Sequence, residues 1–188
     1  MVTESSYWKV PLLEMAGRIE ASKGEECLSD DDFAQFERDL FLGFFSIRKL
    51  MDSVPKVTRR VYDAKIQLRQ YSRNENSKPF DDWNKPDWHQ FFDMANYALI
   101  ERGLRFVANQ FIHSHLFIPS GEGEDDQGRV DPDGIFFASD NQVDRNLFFI
   151  ATDDVISAFR LVGNDYPQSV RMSRDPATGL RAWQIPEN

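Results

Sequence analysis

Apolar residues recur along this chain at two spacings, and the switches between them divide it into helices and strands. Over Tyr7 to Lys23, Trp8, Leu12, Met15 and Ile19 fall at helical spacing, with Pro11 in the first turn or at the true start and Gly24 as the stop. The second helix carries the strongest pattern. Ser29 followed by Asp32 makes a capping-box-like start, and Asp30 and Asp31 suit the positive end of the helix dipole. Phe33, Phe36, Leu40, Phe44, Ile47 and Met51 then recur at steps of three and four, while Phe41, Leu42 and Phe45 carry apolar bulk onto other faces. A helix apolar nearly all round is central, with neighbours on more than one side. Pro55 ends it.

From Val57 the pattern changes. Ile66 and Leu68 alternate with Lys65, Gln67 and Arg69, with Tyr71 nearby, which predicts a strand with one wet face. A polar loop from Asn74 to Asn84 leads into Trp88. Tyr97 to about His115 reads as a third major helix, burying Tyr97, Ile100, Leu104, Ala108 and Phe111. Pro119 to Gly134, rich in acids and glycines, reads as a mobile acidic loop. Ile135 to Ser139 and Leu147 to Ala151 predict a hairpin around the turn Asp140 to Asp144. Thr152 caps a short helix with Asp153 and Asp154 in its first turn, closed by Gly163-Asn164. A last hairpin pairs Val170 to Ser173 with Leu180 to Ile185 around Asp175 to Gly179. The order predicts one α+β domain over residues 1–188: two or three packed helices, an antiparallel sheet and C-terminal β-hairpins.

Composition sharpens this picture in three places. Phe is abundant, 16 of 188 residues, which implies a core built on aromatic rings or a core plus a sticky interface. The formal charge of −9 argues against a protein that coats nucleic acid with its whole surface. The charge is unevenly placed, however. Lys56, Arg59, Arg60, Lys65, Arg69, Arg73 and Lys78 face only Asp63 and Glu75, so this segment is +5 and the remainder −14. These cations could meet RNA, with Tyr62 and Tyr71 for stacking, or compensate the chain's own acids. Cys27 is the one cysteine, so an internal disulfide is impossible. No apolar run reaches membrane-spanning length and no signal-peptide core precedes Tyr7, so a cytoplasmic protein without membrane association is expected.

Candidate chemistry concentrates on the predicted third helix. Arg102, Arg105, Asn109 and His113 form a polar face beside its buried stripe. A histidine with an arginine is the minimal metal-free equipment for cleaving RNA, the first moving protons and the second holding the phosphorane. The same face could bind a ligand, or be a structural polar cluster. Arg48, at the edge of the second helix's stripe, is expected to reach the third helix or an adjacent strand and anchor a polar cluster containing at least one of Asn109 and His113. His113 and His115 could share a metal only if the helix ended near Ile112, so neither a metal nor a cofactor is expected. Neither a P-loop nor the common dinucleotide, hydrolase and zinc-protease motifs occur.

Leu42-Gly-Phe-Phe-Ser-Ile-Arg-Lys-Leu50 and Asn109-Gln-Phe-Ile-His-Ser-His-Leu-Phe117, with Gly134-Ile-Phe-Phe-Ala-Ser-Asp140, resemble a family of uncharacterised bacterial proteins across Ser29 to Pro167. More remotely, the two helices resemble the HEPN superfamily, whose members include RNases of toxin and phage-defence systems. That resemblance implies a helix with Arg and His separated by four to six residues; here Arg105 and His113 have seven between them. The residues together predict a non-enzymatic binding or scaffold protein of a bacterial multi-protein or oligomeric system, its partner another chain or a second copy. The alternative is a metal-independent RNase using His113 with Arg105 or Arg48.

Overall fold

The computed structural model describes residues 2–23, 29–75, 77–81, 83–120, 133–174, 176–179 and 181–184. Cys27 and most of the predicted acidic loop, residues 121–132, lie outside the described residues. The chain runs α1 (Ser6–Ser22), α2 (Asp30–Asp52), a short α3 (Arg59–Asp63), β1 (Lys65–Ser72), a 3₁₀ segment (Lys85–Phe91) and β2 (Ala98–Gly103). It continues through α4 (Leu104–Ile112), β3 (Ser114–Ser120), β4 (Gly134–Ser139), β5 (Asn146–Ala151), α5 (Thr152–Gly163), β6 (Arg171–Arg174) and β7 (Arg181–Gln184). The fold is α+β, as predicted. Five strands form one antiparallel sheet in the order β2-β1-β5-β4-β3, while β6 and β7 pair separately as the expected C-terminal hairpin.

The capping box of α2 is present. The Ser29 Oγ accepts from the Asp32 N–H at 3.2 Å and the Asp32 carboxylate accepts from the Ser29 N–H. The α2 stripe from Phe36 to Met51 is buried, whereas Phe33 at its start is partly exposed. In α1, Pro11 lies beyond the first turn, so the Tyr7 carbonyl has no i+4 donor there.

The expected helix from Tyr97 is corrected: Ala98–Gly103 is a strand, and the helix begins at Leu104. β2 pairs antiparallel with β1 from Lys65↔Gly103 to Gln70↔Ala98. Cross-strand pairing overrides the helical preference of Ala-Leu-Ile-Glu-Arg. The helix also ends early. Ser114 starts β3, and His115 sits at a bulge between the pairs Ser114↔Ser139 and Leu116↔Ala138. Pro119, Ser120 and Gly134, expected in the acidic loop, are therefore strand residues. α4 leads from one edge strand of the sheet, β2, directly to the other, β3.

α4 and α5 lie against the sheet, with α2 packed on α4 and α1 on α5 and α2. The core between them takes in Phe44, Phe111, Phe137, Phe148 and Phe159. The α2 stripe and Leu104, Ala108 and Phe111 of α4 share that one core, as expected. Gly43 sits where α2 meets α5, and a Cβ there would overlap the Phe159 ring. Alanine gains about 1 kcal/mol of helix propensity over glycine. Crowding a packed core costs about 1–3 kcal/mol, so Gly43→Ala is expected to lower the urea midpoint. An unchanged or higher midpoint would show that the Phe159 ring can step aside.

The sheet's other face is covered over only part of its area. Phe80, Trp88, Phe91 and Phe92 pack there with Tyr71, Leu116, Leu147 and Phe149. Arg73 pins this cover: it donates to Ser77 Oγ at 2.8 Å, to the Val143 carbonyl at 2.9 Å and to the Lys78 carbonyl, and faces Asp144 at 3.2 Å.

Candidate functional site

The face expected on one helix is divided by the structure. Arg102 belongs to β2, opposite Ile66, with its guanidinium over the Phe106 ring at 5.6 Å. Arg105 opens α4 and donates to Asp52 at 2.5 Å and to the Met51 carbonyl at 3.2 Å. Arg48 donates to the same Asp52 oxygen at 2.8 Å. Arg48 thus reaches α4, but through Asp52 and Arg105, not through Asn109 or His113. Asn109 is half-buried, and His113 caps the C-terminus of α4 with its side chain exposed. At 1.5 Å per residue, Arg105 and His113 stand about 12 Å apart along the helix.

His113 and His115 do not converge either. The His115 ring meets Phe80, and its Nδ1 lies 3.3 Å from Asp140 Oδ1. Among the described residues no three His, Cys, Asp or Glu side chains are grouped to hold a metal. The basic segment is likewise distributed. Lys56 donates to the Thr3 carbonyl, and Arg73 is committed to the loop cover. Arg59 and Arg60 lie on α3, while Lys65 and Arg69 share one exposed side of β1.

That side of β1 borders a different site. β1 pairs with β2 from Lys65 to Gln70 but with β5 only from Arg69 to Ser72. From Leu68 back to Lys65, β1 has no strand partner on that side: Ile150 and Ala151 of β5 stay paired with β4 and α5 follows, so the sheet forks. A cavity of about 360 Å³ lies at the fork, with Lys65, Gln67, Glu101, Asp154 and Ser157 on its polar wall. Leu104, Ala158 and Leu161 form its apolar wall. A smaller cavity of about 100 Å³ adjoins Gln67 and Asp154 from the other side and reaches Arg69, Leu99 and Phe149. The Arg69 guanidinium lies over the rings of Phe149 at 5.0 Å and Tyr97 at 5.2 Å. Burial, with a smaller contribution from Asp153, raises the Asp154 carboxyl above the usual carboxylate range.

Sequence patterning identified Lys65 and Arg69 as wet strand positions, but not their neighbours at the fork. In the sequence, Asp154 reads only as a dipole complement in a helix's first turn, and Glu101 as a residue of the expected third helix. No alternation of apolar and polar residues marks Ala98 to Gly103, so the sequence carries no signal for these neighbours.

No helix among the described residues is long and apolar enough to cross a membrane. Compared with protein-family models, curated proteins and solved structures, the chain matches none.

Proposed function

We propose that this chain is a non-enzymatic binding protein that assembles with a second copy of itself through β2. The observation that carries this reading is the exposed edge of the sheet. β2 is an edge strand, Leu99 on it is 60% exposed, and Tyr97 just before it is 50% exposed. An edge strand presents unpaired backbone donors and acceptors and is a ready template for another strand. The charge pattern admits a two-fold register. With Ile100 of each copy facing its counterpart antiparallel, Glu101 lies opposite Leu99 and Arg102 opposite Ala98, so no like charges are paired. Such a contact is isologous and closes as a two-fold dimer. The RNase alternative needs His113 and an arginine at one phosphate, and here both candidate arginines are engaged with Asp52.

Sedimentation velocity tests the assembly. Wild type is expected to sediment as a dimer at tens of micromolar. Ala98→Arg, which sets a cation opposite Arg102 of the copy, should give monomers. Ala98→Glu, which sets an anion there, should keep the dimer. A monomeric wild type, or an Ala98→Arg dimer as strong as wild type, would sink the reading.

A further inference from the structure

We propose that the fork between β1 and α5 is a binding site for a zwitterionic small molecule of the amino-acid class. Charges of both signs surround Gln67. Along β1, Lys65 and Arg69 are two residues before and after Gln67, each about 7 Å away on the same face. Across the strands, Glu101 is the direct partner of Gln67 on β2. On the opposite side, Asp154 of α5 lines both cavities that Gln67 lines. Two cations therefore lie along the strand and two carboxyl groups across it, centred on one amide.

These groups are unspent. Among the described residues, the side chains of Lys65, Gln67, Glu101, Asp154 and Ser157 make no hydrogen bond or ion pair. Arg69 has ring contacts but no carboxylate partner there. The groove between α1 and α2 is the contrast. Its Arg18 donates twice to Asp39 at 2.7 Å, and Gln35 donates to the same carboxylate, so its polar capacity is already used. At the fork, the raised Asp154 carboxyl has a solvation debt that a bound donor would relieve.

The alternating charges choose the ligand class. A simple anion would be drawn to Arg69 and Lys65 but repelled by Glu101 and Asp154; a simple cation would meet the reverse. A molecule with both charges can place its ammonium at Glu101 and Asp154 and its carboxylate at Arg69. The stacking of Arg69 on Tyr97 and Phe149 holds the guanidinium in place for a two-point carboxylate contact. The apolar wall of Leu104, Ala158 and Leu161 then receives an aliphatic side chain. The cavity volume suits a molecule of this size.

Titration calorimetry with the twenty free L-amino acids, their N-acetyl and C-amide derivatives, and alanine dipeptide with free ends tests this. At least one free amino acid with an aliphatic side chain is expected to bind saturably, and each blocking group should weaken it tenfold or more. A dipeptide that binds where free amino acids do not would assign the same chemistry to a peptide with its charges further apart. Asp154→Asn and Arg69→Gln should each weaken binding at least tenfold, with both variants folded by circular dichroism. Asp154→Asn should melt no lower than wild type, because it removes a carboxyl that burial disfavours. Absence of binding by every free zwitterion, equal binding of the blocked forms, or undiminished binding by both variants would overturn the proposal. Sedimentation reports dimerisation through β2 separately, so failure of this site and failure of that assembly are distinguishable.

Discussion

Phe44→Ala is expected to lower the unfolding free energy by about 3–5 kcal/mol, the range for removing a buried ring. Phe44 is completely buried. Its ring stacks on Phe111 at 4.1 Å and 20°, and meets Phe159 edge-on at 5.3 Å. Phe111 stacks in turn on Phe137 at 4.6 Å, so one column of rings runs from α2 through α4 into the sheet. Relaxation around the missing ring is limited. α4 joins directly to the two opposite edge strands of the sheet, so it cannot slide into the space without breaking strand pairing. The upper half of the range is therefore expected in a urea titration. Phe44→Leu, which keeps most of the volume, should lose less than about 2 kcal/mol. The double variant Phe44→Ala/Phe111→Ala should fall short of the sum of the singles, because the two changes share one cavity. A loss below about 1 kcal/mol for Phe44→Ala would show that the column carries no stability.

The column explains the abundance of Phe, and it was legible because α2 repeats one period over its whole length with a capping box at its start. β1 was legible for the same reason: from Lys65 to Arg69 exposed and buried residues alternate, before Tyr71 breaks the phase. β2 and β3 escaped for opposite reasons. β2 lies at the edge and buries little, so its alternation is faint, and only its pairing with β1 makes it a strand. β3 is apolar toward both faces, with Phe117 on the helix side and Leu116 under the loop cover, so no period of two shows. Arg48 is half-buried at the margin of the core, as its position beside the α2 stripe predicts, but its partner depends on where α4 begins. Once that helix starts at Leu104, Arg105 falls beside Asp52, and His113 falls at the far end. The fork had no sequence signature. It exists because β5 leaves β1 after the pair Arg69↔Phe149 while β2 stays paired as far as Lys65, and its four charges come from three separate elements.

Lys9→Ala is expected to cost about 3–4 kcal/mol at neutral pH, and wild type should become more stable as pH rises above 8. Lys9 is fully buried, and its ammonium donates to the carbonyls of Lys56 and Asp165 and lies 4.2 Å from the centre of the Tyr166 ring. It ties α1 to the connector after α2 and to the segment after α5. Asp165 closes the tie by accepting from the Thr58 N–H at 2.6 Å and from the Thr58 hydroxyl. Truncation strands two carbonyls, at about 1–3 kcal/mol each, and empties the space of a long side chain. The charge itself is disfavoured. Burial, helped by Lys56 and opposed by Asp165 and Glu4, brings Lys9 down from 10.5 to about 8. Between those values the unfolded chain holds a proton that the folded chain has released. Stability therefore climbs with pH across this window, by up to about 3 kcal/mol. Above pH 10 the climb reverses, because burial and then Asp52 raise the Tyr62 hydroxyl, so the unfolded chain ionises first. Urea titrations from pH 7 to 11 should show a maximum near pH 10 in wild type, and no rise between pH 8 and 10 in Lys9→Met. A wild-type profile flat across that interval would mean that the buried ammonium is solvated as well in the folded chain as in water.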